Sequence, residues 1–179
     1  MQLRAGGEHG GSGISPWDTP SSMAALPLVL GFGNVLLGDD GAGVRLMEQL
    51  RSELGAGAAR FIDGGTMSFS LLPYVEAATA MLVIDAANLE RSPGSAGLFE
   101  GPAMDAFLKS TRRRTVHEVG LIDLMDMARL QDCLPEKRAL LCIQPLHILW
   151  SEALSAPVAA SLAEGVRLGA AVLQRWREA

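Results

Sequence analysis

Short apolar runs alternate with amphipathic stretches along this chain. Apolar runs of strand length occur at residues 26–30, 59–62, 80–84 and 139–143, and residues 97–99 predict a further short strand at a sheet edge. The run at residues 80–84 is continuously apolar, as expected for a strand that is covered on both faces. The pattern therefore predicts a sheet with at least one fully buried strand.

Helical spacing of apolar residues lies between these runs. After the first strand, Val44, Met47 and Leu50 recur at the interval of one helix face. Further helices are predicted at residues 68–77, 104–109, 115–131 and 156–176. Strands that alternate with helices predict an α/β domain with a mostly parallel sheet covered on both faces.

The first 24 residues differ from the rest in composition. They are rich in Gly, Ser and Pro and lack the hydrophobic core of an export signal, so we expect a disordered leader at residues 1–24 and a single domain at residues 25–179. No apolar run reaches the roughly 18 residues that span a bilayer. We therefore expect a cytoplasmic protein without membrane attachment.

Charge and cysteine content exclude several classes of function. The net charge of −5 argues against general affinity for nucleic acid. A basic cluster, Arg112–Arg114, is interpreted as a solvated loop, with a docking patch for an acidic partner as the alternative. The cysteines, Cys133 and Cys142, form no CxxC motif, which argues against a zinc ribbon, a thioredoxin-type site and a disulfide framework.

Acidic residues follow three of the predicted strands. Asp39 and Asp40 lie in the loop after the first strand, Asp63 ends the second and Asp85 ends the third. Because ligands of an open parallel sheet bind at the carboxyl ends of its strands, these acids are expected along one binding edge. His117 precedes a helix, in a loop that can reach the same edge.

Asp40, Asp85 and His117 are candidates for the first shell of a divalent transition metal. Imidazole suits nickel or zinc, carboxylates supply charge, and three protein ligands leave positions open for substrate or water. The structural alternative makes Asp40 a helix N-cap, Asp85 a strand-end turn residue and His117 a cap or surface residue, and pattern alone slightly favours it. Treating the three as exposed cleft residues, we expect their alanine variants to fold. His147 is interpreted as an ordinary surface residue.

Competing motifs are incomplete. The glycines of residues 31–33 begin like a dinucleotide fingerprint, but Leu36 occupies the position of the third glycine. His117 begins a zincin-like pattern, but Leu121 stands where the second histidine belongs. No P-loop and no G-x-S-x-G elbow occur. A different α/β enzyme that binds a nucleotide at residues 31–34 remains an alternative.

Four motifs in order resemble those of the [NiFe]-hydrogenase maturation peptidases. They are GFGNVLLGDDGAGV at residues 31–44, DGGT at 63–66, VIDA at 83–86 and HEVGL at 117–121. The resemblance implies a three-layer α/β/α sandwich with a twisted, mostly parallel five-stranded sheet. It also implies an aspartyl-type endopeptidase that removes the C-terminal extension of a hydrogenase large-subunit precursor after nickel insertion.

The resemblance also implies roles for residues. The family's metal-contacting residues fall on Asp40, Asp85 and His117, and the nickel is carried by the substrate. Many relatives have the longer Glu at the position of Asp40, and residues 144–155 depart from the family pattern. As a hypothesis for the mechanism, the metal acts as a Lewis acid that polarises the scissile carbonyl or activates water, or it only positions the substrate.

The base of the reaction belongs to the hypothesis in which the metal only positions the substrate. Asp40 or Asp63 is expected to act as base, although Asp63 is alternatively structural because Gly64-Gly65-Thr66 marks a tight turn. Candidate substrate-binding residues are Gly33, Asn34, Gly64, Gly65 and Thr66. We expect a monomer whose partner is the large-subunit precursor, and a non-catalytic chaperone of that precursor is the alternative.

Overall fold

A computed structural model describes residues 26–66, 69–111 and 118–178 of the chain. The strands are β1 Leu28–Phe32, β2 Arg60–Gly65, β3 Ala80–Ala86, β4 Ala96–Glu100 and β5 Lys137–Ile143. The helices are α1 Ala42–Leu54, α2 Leu72–Glu76, α3 Pro102–Thr111, α4 Glu118–Leu130 and α5 Ala156–Glu178, with 3₁₀ turns at Asp39–Gly41 and Phe69–Leu71. The predicted leader, Arg112–Arg114 and His117 lie outside the described residues.

The strands form one sheet in the order β2-β1-β3-β5-β4. The first four strands of this order are parallel, and β4 pairs antiparallel with β5 at the edge. The expected mostly parallel, five-stranded sheet and its short edge strand are therefore confirmed.

Each central strand is apolar on both faces because a helical layer covers each face. Val29, Leu82 and Leu141 pack with α1 and α5 on one side. Leu30 and Val83, on alternate positions of the same strands, pack with α2, α3 and α4 on the other side. The expected three-layer α/β/α sandwich is confirmed, with one hydrophobic core on each side of the sheet.

The helix α5 is apolar because it covers the sheet. In the described part of the chain it is the one helix whose length and composition would allow it to cross a membrane. The sequence pattern did not predict such a segment. Its Val158, Val166 and Leu173 are buried against the sheet, whereas Glu164 and Arg167 form an exposed ion pair on its outer side. Burial against the sheet therefore accounts for the apolar inner face of this helix.

The strand order reverses between β1 and β3. The chain leaves β1 through α1 toward β2 on one side, whereas β3 is followed by β4 and β5 on the other side. Connections that diverge in this way leave a crevice at the carboxyl ends of the two strands, where α/β proteins bind ligands. The loops that follow β1 and β3 therefore form the candidate site.

Candidate functional site

The loop after β1 folds back closely on itself at a glycine. Gly33 has a φ of 121°, a conformation that L side chains rarely adopt, and its N–H donates a hydrogen bond to the Gly65 carbonyl at 2.9 Å. A Cβ at Gly33 would overlap the Asp40 carbonyl. Glycine at this position therefore lets residues 34–38 turn so that Asp40 comes back over the end of β1.

A second close approach fixes the start of α1. A Cβ at Gly43 would overlap the carbonyl oxygens of Phe32 and Ile84 and lie 2.9 Å from the Asp85 Cα. The first turn of α1 thus lies directly on the ends of β1 and β3. This contact places the Asp39–Gly41 turn beside Asp85.

Asp40 is a buried carboxylate that its own loop holds in place. Its side chain belongs to a residue only 3% exposed, and Oδ2 accepts the Asn34 N–H at 2.7 Å. The residue that caps α1 is Gly41, and no side-chain hydrogen bond caps that helix. The N-cap interpretation of Asp40 is therefore wrong, because Gly41 occupies the cap position and the Asp40 carboxylate accepts a hydrogen bond from the loop after β1.

Asp85 lies inside β3, one position before its end. It is 4% exposed, and its Oδ1 accepts the Ala86 N–H at 2.7 Å. The expectation that Asp40 and Asp85 are exposed cleft residues is wrong, because the first turn of α1 closes over the strand ends. Alanine at either position would remove a buried, hydrogen-bonded carboxylate, so asparagine is the better probe of chemistry.

The third predicted metal-contacting residue, His117, lies outside the described residues, which resume at Glu118, the first residue of α4. Within residues 26–66, 69–111 and 118–178, no group of three or more His, Cys, Asp or Glu side chains is arranged to hold a metal ion. The joint contact of Asp40, Asp85 and His117 with a metal stays a prediction. The structure brings the two carboxylates to neighbouring strand ends at the switch point.

Asp63 has the geometry of its structural alternative. It is exposed, and its Oδ1 accepts the Gly65 N–H at 2.8 Å at the end of β2, where Gly65 has a φ of 50°. Asp63 pairs in register with Gly31 of β1, and β1 lies between the strand of Asp63 and that of Asp85. Its role as base stays a prediction, as do the substrate-binding roles of Gly33, Asn34, Gly64, Gly65 and Thr66.

Asp39, predicted only to lie in the loop after β1, has a structural role. Asp39 is fully buried, and its carboxylate accepts four hydrogen bonds from residues 146–155. The donors are the Ser155 N–H and Oγ–H, both at 2.7 Å, the Leu146 N–H at 2.9 Å and the His147 N–H at 3.4 Å. The two adjacent acids before Gly41 were the sequence signal for a role of Asp39. Nothing near them in the sequence indicated that its hydrogen-bond donors lie at residues 146–155.

These hydrogen bonds keep Asp39 ionised. Burial raises the pKa of Asp39, but the bonds from Ser155 and from the N–H groups of Leu146 and His147 lower it, and the net pKa lies below its ordinary value. The His147 imidazole, predicted to be a surface group, is half exposed, with Nδ1 3.9 Å from Asp39 Oδ2. Asp39 is thus a charged, buried attachment point for the segment that leads into α5.

Large apolar side chains surround this attachment. Two backbone hydrogen bonds, Gly38 N–H to Ser151 O at 2.7 Å and Ser151 N–H to Leu36 O at 3.0 Å, join the loop after β1 to the segment before α5. Both segments expose apolar residues, which we call the apolar rim: Val35, Leu36, Leu146, Ile148, Leu149 and Trp150. The rim adjoins the loop that carries Asp40.

Comparison with known proteins finds consistent matches. A protein-family model described as "Hydrogenase maturation protease" (HycI) matches residues 44–170. Hydrogenase expression/formation protein HupD of Rhodobacter capsulatus is 33% identical over 130 residues, which is 72% of this chain and 61% of that protein. HoxM of Cupriavidus necator is 30% identical over 153 residues, covering 84% of this chain and 75% of that protein.

Solved structures share the fold. The hydrogenase maturating endopeptidase HybD from E. coli superposes with a TM-score of 0.75 at 26% identity, and the match covers 84% of this chain and 93% of that chain. The match therefore spans most of both molecules. The fold of this solved endopeptidase is thus the one that the four sequence motifs led us to expect.

Proposed function

Because the chain belongs to the hydrogenase maturation protease family, we propose that it is an endopeptidase that removes the C-terminal extension of a [NiFe]-hydrogenase large-subunit precursor. The observation that carries the proposal is the pair of buried carboxylates, Asp40 and Asp85, at the switch point between β1 and β3. A buried carboxylate needs a hydrogen-bonding or ionic partner, and these two lie at the edge of the sheet where such folds bind ligands.

The proposal extends to the nickel ion, which is part of the substrate. Nickel that the precursor holds incompletely accepts further ligands, and carboxylates with an imidazole are suitable donors. We assign these contacts to Asp40, Asp85 and His117. The Asn34 N–H, bonded to Asp40 Oδ2 at 2.7 Å, orients the first of these carboxylates. A precursor without nickel offers no ion to join the two proteins, so it binds less well and is not aligned for cleavage.

The reaction is hydrolysis of one peptide bond. A water molecule attacks the scissile carbonyl carbon, a carboxylate accepts its proton, and that proton passes to the leaving amine as the C–N bond breaks. The products are the mature subunit with a new C-terminal carboxylate and the released peptide. We propose Asp40 as the base in preference to Asp63, because Asp63 is exposed and its carboxylate is bonded to the Gly65 N–H at the end of β2.

The compartment proposed for this reaction is the cytoplasm, where the precursor is synthesised. Cys133 and Cys142, both in the described part of the chain, are not joined in a disulfide, which suits a reducing compartment. The expected absence of nucleic-acid binding rests on the acidic net charge of −5.

The decisive experiment compares nickel-loaded with nickel-free precursor. The purified protein is incubated with each form and the mass of the precursor is measured. We expect loss of a C-terminal peptide from the loaded form only. Asp40→Asn, Asp85→Asn and His117→Ala should each abolish this loss, whereas Glu164→Gln, an exposed acid of α5, should not change it. Normal processing by all three site variants would remove the site assignment.

The same assay separates the chaperone alternative. A complex that forms and persists while the precursor keeps its full mass would indicate a protein that holds the precursor without cutting it. Binding is measured by calorimetry on the same samples, so that each sample gives both an affinity and a cleavage result.

A further inference from the structure

The apolar rim exposes more apolar side chain than folding requires. Trp150 is 80% exposed, Leu149 58% and Leu146 51%, although these residues lie close together in one segment. Contiguous exposed apolar groups are uncommon on a soluble surface and mark sites of association. None of the six side chains of the rim is charged, so a partner that fits it presents apolar groups.

The rim has a fixed position relative to the candidate site. Asp39 binds the backbone of Leu146 at one end of the rim segment and that of Ser155 beyond its other end. Asp40 is the next residue of the same 3₁₀ turn. A single turn therefore carries the proposed base and also holds the apolar segment in place beside the candidate site.

The position of the rim decides which partner it fits. The loop that contains Leu36 follows β1, and the Ser151 N–H donates to the Leu36 carbonyl at 3.0 Å, so Trp150 also borders the carboxyl edge of the sheet. We propose that the apolar rim binds an apolar segment of the large-subunit precursor next to the scissile bond. This inference rests on the proposed function, and it assigns to the rim the part of recognition that does not involve nickel.

The experiment uses the double variant Leu149→Ser/Trp150→Ser in the full chain. Both side chains are mostly exposed, so their removal leaves the two hydrophobic cores intact. The control is Leu130→Ser, because Leu130 is 87% exposed but ends α4 at the opposite edge of the sheet, shortly before β5 begins. Trp150→Phe tests whether an aromatic group alone maintains binding.

Single-turnover processing is measured against the concentration of nickel-loaded precursor. We expect the double variant to raise the half-saturating concentration by about tenfold or more, the loss typical of a removed interface aromatic. The maximal rate should stay within about twofold, because a docking contact acts on binding and not on the chemical step. Leu130→Ser should behave as the unmodified protein, and Trp150→Phe should remain close to it.

Three results would overturn the inference. The first is an unchanged half-saturating concentration in the double variant, and the second is an equal change in Leu130→Ser. The third is sedimentation of the unmodified protein as a dimer that the double variant dissociates, which would assign the rim to a second copy of the chain. If no precursor is cleaved, the proposed function fails, and calorimetric binding of the precursor to the same variants still tests the rim by the same tenfold criterion.

Discussion

Asp39 and Ser155 are joined by two hydrogen bonds although 116 residues separate them. The Ser155 N–H donates to Oδ1 and its hydroxyl donates to Oδ2, each at 2.7 Å. The first residue belongs to the turn before α1 and the second directly precedes α5, so the pair connects two helices that cover the same face of the sheet. The position of the segment before α5 therefore depends on one buried carboxylate.

Asp39→Asn tests this dependence. The amide keeps the shape of the carboxylate, but it removes the charge and places an NH₂ group opposite a hydrogen-bond donor. Because bonds to a buried charge contribute more than neutral ones, we expect the free energy of unfolding to fall by about 2–4 kcal/mol. Precursor processing should also fall, since the rim and Asp40 are held by the same turn. Urea denaturation and the processing assay measure the two effects.

Asp105→Asn is the matched control for stability. Arg138 binds Asp105 through Nε at 3.1 Å and Nη2 at 2.7 Å, and Arg129 adds a contact at 2.9 Å. This network joins α3, α4 and the start of β5, at the edge opposite the candidate site. We expect a loss of stability of about 2 kcal/mol with normal processing by the folded protein. Equal loss of processing in both variants would show that Asp39 acts through global stability alone.

Asp39 and Asp105 also predict that the protein loses stability in acid. Burial raises the pKa of Asp105, but Arg138 and Arg129 lower it, so that, like Asp39, it titrates below its ordinary value. A group with a lowered folded-state pKa stabilises the fold above its ordinary pKa of about 4, and that contribution disappears as the pH falls through the lowered value. The free energy of unfolding should therefore be level near neutral pH and decrease in acid.

Titration of the variants checks this assignment. Asp39→Asn and Asp105→Asn should each show a shallower decrease between about pH 5 and pH 2 than the unmodified protein, because one linked carboxylate is absent. Glu164→Gln should not change the slope, since the Glu164–Arg167 pair is exposed and solvent screens it. Parallel curves for all four proteins would assign acid unfolding to other groups.

The sequence predicted the strands best where both faces are apolar. Residues 80–84 and 139–143 fall inside β3 and β5. By contrast, β1 was placed two residues early, because Gly31 was interpreted as the end of the strand. In the structure Gly31 is within β1, where a Cβ would lie 2.9 Å from the Gly43 carbonyl, so the glycine serves the packing of α1.

The local sequence pattern did not predict the full length of β2, because its last three residues, Asp63, Gly64 and Gly65, are typical of turns. The DGGT motif was interpreted as turn chemistry after residue 62, yet β2 extends to Gly65 and pairs with Phe32 across a register shift. Tertiary pairing with β1 supplies hydrogen bonds that single-residue preferences do not report. The helix predicted at residues 68–77 is shorter in the described part, where α2 begins at Leu72 after a 3₁₀ turn.

The positions of Asp40 and Asp85 at the strand ends were predicted from the sequence, but their burial was not. The rule that acids after parallel strands share one edge placed Asp40 and Asp85 correctly at neighbouring strand ends. The burial of both residues depends on the close approach of Gly43 to β1 and β3, and the role of Asp39 depends on a segment far along the chain. Neither relationship has a signal within a window of a few residues.

Gln144 predicts an effect on the loop that follows Asp85. Its Oε1 accepts the Leu89 N–H at 2.7 Å, and its Nε2 donates to the Pro145 carbonyl at 3.2 Å. Gln144→Leu keeps the size of the side chain but leaves the Leu89 N–H without this acceptor, which should cost about 1–3 kcal/mol. Hydrogen exchange of the Leu89 amide should become faster. Gln174→Leu, which removes an exposed bond to Glu178, should change neither quantity.

Gly43→Ala tests the contact that forms the site. The added methyl group would overlap the Phe32 and Ile84 carbonyls, and because both are backbone atoms of the central sheet, α1 itself must move. We expect a loss of about 3 kcal/mol or more of stability, at the upper end for an overpacked core, together with loss of processing.

Gly57→Ala is the control for the glycine substitution itself. No atom lies within 4 Å of a Cβ at Gly57, so alanine should leave stability unchanged or raise it by up to about 1 kcal/mol by restricting the unfolded chain. Thermal denaturation and the processing assay are measured on both variants. If Gly43→Ala were as stable and as active as Gly57→Ala, the first turn of α1 would not lie against β1 and β3. The burial of Asp40 and Asp85, on which the proposed chemistry depends, would then need another cause.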